Sequence, residues 1–129
     1  MKSENLRIFV VDDNESVLRS VKRLIKSAGY RNVETFSSAE DFLNGAALGE
    51  PGLLILDLLL PGAGGIELYH RLDKEGRHVP TVFISALEKE LDRARAECGG
   101  AVAFLQKPFE RGDLVAAVRS AAGRRVPRA

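Results

Sequence analysis

Four apolar runs in this sequence end in residues that can do chemistry. Residues 53–61 read LLILDLLLP, so Asp57 follows an unbroken apolar stretch directly. Residues 6–11 (LRIFVV) run into Asp12 and Asp13, residues 79–84 (VPTVFI) into Ser85, and residues 102–105 (VAFL) into Gln106, Lys107 and Pro108. Runs this short suit strands buried on both faces better than helices. A carboxylate delivered to the carboxyl edge of such a sheet stands where open α/β folds place their ligands. Asp57 seen alone is as readily a turn residue. Adjacent acids such as Asp12 and Asp13 repel one another unless a cation or hydrogen-bond donors meet them, although either could also open a helix against its dipole. Together the acids call for a hard divalent cation held by oxygens, in practice a partly hydrated Mg²⁺. The hydroxyl and the amine call for an anion. The combination describes a place where a phosphoryl group could be transferred to or from a carboxylate while its oxygens are neutralised.

The elements that must position these residues follow from periodicity. Residues 6–11, 32–36, 53–56, 79–84 and 102–105 read as strands, the second of them weak. Between them, Val17, Leu18, Val21, Leu24, Ile25 and Ala28 recur at helical spacing up to Gly29. Ser37 and Glu40 have capping-box spacing ahead of a helix burying Ala39, Phe42, Leu43 and Ala46. A third helix carries Ile66, Leu68, Tyr69 and Leu72 to a stop near Gly76. A shorter, charged fourth spans 88–98 with Leu87, Leu91, Ala94 and Cys98 inward. A fifth spans 111–122 and buries Leu114, Val115, Val118 and Ala122. Gly62, Gly64 and Gly65 make a turn rather than a phosphate cradle, because neither GxGxxG nor a following Lys-Ser/Thr pair is present. Strict alternation of strand and helix predicts a parallel sheet covered on both faces through right-handed crossovers.

Composition sets the outer bounds. A chain of 129 residues is one domain, with no room for a second core. Its 19 basic and 18 acidic residues nearly cancel, which lends no support to nucleic-acid or membrane binding by this segment. The one cysteine, Cys98, excludes an internal disulfide framework and reads as a small apolar residue on a helix. No apolar run approaches a membrane span and no signal-peptide pattern is present, so a cytoplasmic setting is expected.

The segments VVDDN (10–14), LILDLLLPGAGGIEL (54–68), FISAL (83–87) and FLQKPF (104–109) together resemble the receiver domain of two-component response regulators, in order and in spacing, over residues 6–122. The QKPF segment and the short fourth helix are most similar to receivers of the nitrogen-fixation regulator subfamily. The resemblance implies a doubly wound (βα)5 flavodoxin-like domain with strand order 2-1-3-4-5, spanning 1–123. Residues 124–129 would then form a basic tail or the start of a linker to an output domain absent from this chain. It implies that Asp57 is the phosphoacceptor, Asp13 a direct Mg²⁺ ligand, Asp12 an acid holding the ion through water, and the Leu59 backbone carbonyl the remaining protein ligand, with Mn²⁺ able to substitute. Ser85 would close on the phosphoryl group, Phe104 turn inward behind it, and Lys107 pair with a phosphoryl oxygen, next to a cis bond before Pro108. The implied partners are a sensor histidine kinase, a second copy meeting the surface of helix 4, strand 5 and helix 5, and a C-terminal DNA-binding output domain. The implied activity is that of a switch catalysing only its own phosphorylation and slow dephosphorylation.

Two positions depart from the common form of that family. Leu60 replaces a methionine, a volume-conserving change, and Ser85 replaces threonine, which keeps the hydroxyl but frees its rotamer. Leu59 and Leu87, which flank the phosphoryl group in receivers, are both apolar here, so hydrolysis of an acyl phosphate is expected to be slow. The main rival reading is an Mg²⁺-dependent aspartyl phosphatase or phosphotransferase. Such enzymes need an acid two residues after the nucleophile, where this chain has Leu59. A flavodoxin-like nucleotide binder lacks a phosphate loop and a tryptophan to stack on a flavin.

Overall fold

A computed structural model describes residues 6–45, 52–62 and 64–124. Five strands, β1 (Arg7–Val11), β2 (Asn32–Phe36), β3 (Gly52–Asp57), β4 (Thr81–Ser85) and β5 (Ala103–Gln106), alternate with five helices. These are α1 (Glu15–Ser27), α2 (Ala39–Gly45), α3 (Gly65–Lys74), α4 (Glu88–Glu97) and α5 (Arg111–Arg124). All strand pairs are parallel and the order is β2-β1-β3-β4-β5, the flavodoxin-like order expected. The sequence order reverses between β1 and β3, and it is there that parallel α/β sheets open a crevice at their carboxyl edge.

The period-2 pleat divides the strand residues between two cores. Ile8, Val10, Leu53, Ile55, Val82 and Ile84 face α1 and α5, where they meet Leu18, Val21, Ile25, Leu114 and Val118. Phe9, Val11, Leu54, Leu56 and Phe83 face α2, α3 and α4, where they meet Phe42, Ile66, Leu68, Leu72, Leu91 and Ala94. Every residue of β3 is buried, as a central parallel strand requires. Gly52 begins that strand because a Cβ there would lie 2.6 Å from the Arg7 carbonyl oxygen across the β1 pairing.

Several local expectations need correction. The first helix is capped by Asn14, whose side chain accepts from the backbone N–H groups of Ser16 and Val17, and neither Asp12 nor Asp13 is the cap. The second is capped by Ser38, whose Oγ accepts from Asp41 N at 3.0 Å; the expected pair Ser37 and Glu40 lies one residue too early. Pro80 stays outside β4, yet its carbonyl still accepts from Leu54 N at 2.9 Å, so the ladder extends past the point where proline stops donating. Leu87, expected to face inward, is the exposed N-cap residue of α4. The last helix runs beyond Ala122 to Arg124, with Ala121 fully buried and Ala122 only partly. Ala46 and the tail residues 125–129 lie outside the described residues.

Candidate functional site

Strand ends build the site. Asp57 is the last residue of β3, Asp12 and Asp13 follow β1, Ser85 ends β4, and Lys107 follows β5. By pleat parity Asp12 continues the row of Ile8 and Val10, and Asp57 that of Leu53 and Ile55, so both enter the crevice from the α1/α5 side. Asp12 is fully buried, Asp57 nearly so, and Asp13 is exposed at the rim. One carboxylate oxygen from each of the three can be chosen so that all lie within 4.8 Å of one another.

Lys107 reaches back across the sheet to join them. Its Nζ donates to Asp12 Oδ2 at 2.9 Å and stands 3.7 Å from Asp57 Oδ1. The loop carrying it is pinned by Lys107 N, which donates to the Ser85 carbonyl at 2.8 Å, and the bond from Lys107 to Pro108 is cis. Asp12 Oδ1 also accepts from Asn14 N at 2.8 Å, which ties the buried acid to the start of α1. Asp57 Oδ1 accepts a long bond, 3.4 Å, from Leu59 N. Burial, reinforced by Asp12 and to a smaller degree by Asp13, holds the Asp57 carboxyl above the ordinary carboxylate range, against the opposing pull of Lys107 and the Leu59 N–H.

A single ammonium among three carboxylates leaves the crevice negative. All-oxygen donors in a negatively charged, partly open site fit a hard divalent cation, and the cluster could hold a metal ion. The other predicted residues are placed around this centre. Ser85 is buried, and its Oγ accepts from Leu87 N at 3.1 Å across the β4–α4 turn. Phe104 is half-buried on β5, its ring stacked on its register partner Phe83 with centroids 5.7 Å apart. Among the described residues Leu59 and Leu87 are the exposed large hydrophobics, at 45% and 51% exposure.

Two contributors were not singled out by sequence reasoning. Asn14 secures Asp12 and caps α1 at once; Asn directly before a helical pattern was the available signal. Gly65 lets α3 start against the β3 end, since a Cβ there would stand 2.5 Å from the Asp57 carbonyl oxygen. Nothing in a lone glycine within GAGG marks that approach.

A family model described as the response regulator receiver domain matches residues 8–119. The chain belongs to the response regulator receiver family. Among similar proteins, this receiver is 36% identical over 121 residues to the response regulator protein TmoT of Ectopseudomonas mendocina, covering 94% of this chain and 54% of that one. It is 32% identical over 121 residues to the transcriptional regulatory protein FixJ of Azorhizobium caulinodans, covering 94% and 57%. The crystal structure of FixJ-N superposes with a TM-score of 0.85 at 29% identity, covering 98% of this chain and 99% of that one. The receiver thus spans about half the length of the full-length relatives it matches. Among the described residues no helix is long and apolar enough to cross a membrane.

Proposed function

We propose that this receiver is a cytoplasmic phosphorylation switch, in which Asp57 takes a phosphoryl group from a sensor histidine kinase. The observation that carries this reading is Lys107 Nζ standing between Asp12 and Asp57 inside a three-carboxylate cluster. In the transfer a carboxylate oxygen of Asp57 forms the new O–P bond as the P–N bond to the kinase histidine breaks, and Lys107 balances charge on the phosphoryl oxygens. Asp13, Asp12, Asp57 and the Leu59 carbonyl would hold Mg²⁺, or Mn²⁺ in its place, which when bound neutralises negative charge on the phosphoryl group. A groove of about 480 Å³ beside Lys107, lined by Val17, Leu24, Ala86, Pro108 and Phe109 among others, offers the kinase an apolar foothold next to the acceptor.

Phosphorylation adds roughly two negative charges and strong acceptor oxygens. The Ser85 hydroxyl accepts from Leu87 N and keeps its own proton to donate to them; closing on the phosphoryl group would draw the β4–α4 turn along through that bond and open space beside Phe104. The surface that changes is α4, β5 and α5, where a second copy or an output domain would dock. Residues 1–123 would form the receiver, and 124–129 the start of a connection onward. Relatives named as transcriptional regulators, of which this chain covers 50% and 57%, support a DNA-binding output. The activity is limited to self-phosphorylation and slow dephosphorylation, with Leu59 and Leu87 shielding the acyl phosphate from water.

Incubation with acetyl phosphate and Mg²⁺, read by intact mass, tests the proposal. One phosphate adduct, absent from Asp57→Asn, is expected. Turnover of many substrate equivalents would instead establish the phosphatase alternative.

A further inference from the structure

Phe104 has two partners against its ring. Phe83 lies against one face with the planes 17° apart, and the Arg95 guanidinium carbon sits 5.5 Å from the ring centroid. Arg95 is in turn held by Asp92, with Nη1 to Oδ1 at 2.8 Å, one turn earlier on α4. We propose that Arg95 is a positioning residue that latches the Phe104 ring onto Phe83 in the resting state and so sets how readily the receiver switches. This rests on the switch role proposed above for Phe104.

An exposed Arg–Asp pair at i,i+3 contributes little by itself, and Arg95 read alone is a solvated residue on a charged helix. Its direction is what matters. Asp92 restrains a long side chain whose planar head then has the ring to rest on, and a cation over an aromatic face is attracted by the ring quadrupole. The latch also stands on the element that the switch would displace. Leu87 N is bonded to the Ser85 hydroxyl and Leu87 O accepts from Leu91 N, so the turn that moves with Ser85 is continuous with the first turn of α4. Moving α4 carries the guanidinium off the ring, and an inward turn of the ring leaves the guanidinium without its platform. Each change favours the other. Arg95, still paired with Asp92, then carries its charge to a new place with α4, so the state of the crevice is reported as a change in the charge presented outside it.

The test uses the intact chain with a fluorine label on Phe104. Arg95→Ala is well suited because alanine keeps helix propensity high, and Arg95→Lys keeps a cation at the same site. In donor-free protein, Arg95→Ala should move the Phe104 fluorine resonance toward the position that wild type reaches with Mg²⁺ and beryllofluoride. It should also speed phosphorylation by acetyl phosphate about two- to fivefold, the population change that an exposed cation–π contact carries. Arg95→Lys should restore much of both, and Asp92→Asn should shift both by less than Arg95→Ala. An Arg95→Ala protein matching wild type in resonance and rate, or no rescue by lysine, overturns the latch. A resonance that follows Arg95→Ala but ignores beryllofluoride refutes the switch role of Phe104 and the latch with it. Wild type that takes no phosphate on Asp57 refutes the broader function, an outcome read by mass and separate from the donor-free resonance.

Discussion

At the scale of single residues the acidic crevice works against folding. Burial and Asp12 raise the Asp57 pKa above its ordinary 3.8, so the folded state holds that proton more tightly than the unfolded chain. The contribution is fully present below pH 3.8 and is lost as pH rises through the folded value, so at neutral pH the ionised carboxylate is a cost. Asp57→Asn should therefore stabilise the metal-free protein at neutral pH, seen as a higher Tm. Leu59→Asn should hydrolyse the acyl phosphate several-fold faster, as measured by decay of the phosphorylated mass; an unchanged rate would exclude shielding by Leu59. Cys98 behaves in the opposite chemical sense to a reactive thiol. Buried beneath the end of α4, its pKa is pushed up to about 11 from 9.0, mainly by burial. Unfolded chain loses that proton first, so stability should fall between about pH 9 and 11, and iodoacetamide at pH 8 should modify Cys98 only on unfolding.

At the scale of elements, the devices that aim the site are helix starts. Asn14→Ala removes the cap of α1 and should cost about 1 kcal/mol in denaturant unfolding. Gly65→Ala should do worse, because the added Cβ meets the Asp57 backbone 2.5 Å away and strand or helix must shift; loss of about 1–3 kcal/mol with weakened phosphorylation is expected. The element order and the four strand-end motifs were legible in the sequence because buried parallel strands read as apolar runs and their terminal residues stand out against them. The caps were less so. Ser37 and Ser38 are chemically equivalent, and only backbone geometry selects Ser38, with Asp41 N in reach. Leu87 looked like core because leucine carries no sign of its surroundings, yet the turn after Ser85 points it outward. Arg95 over Phe104 joins a helix face to a strand through no sequence spacing, and nothing short of coordinates pairs them.

At the scale of the whole molecule the sheet stands between the acidic crevice and the aromatic pair. Asp12 and Asp57 share the side of the sheet occupied by α1 and α5, whereas Phe83 and Phe104 belong to the layer beneath α3 and α4. Because a cation at the crevice binds only the folded state, saturating Mg²⁺ should raise Tm by on the order of 5–10 °C at about a hundredfold excess over its dissociation constant. Asp13→Asn should abolish most of that rise while leaving the fold intact, since Asp13 is exposed. The ammonium of Lys107 gives this equilibrium a further property. At 2.9 Å from Asp12 and 3.7 Å from Asp57, it is a resident counter-ion, and it would oppose electrostatically any divalent ion drawn to the same acids. A cation and the ammonium would therefore share the negative charge of the crevice, and the amine, its loop tethered by the backbone bond to Ser85, keeps Asp57 within reach. In the proposed switch, metal and lysine would then meet the incoming phosphate from two sides of one carboxylate.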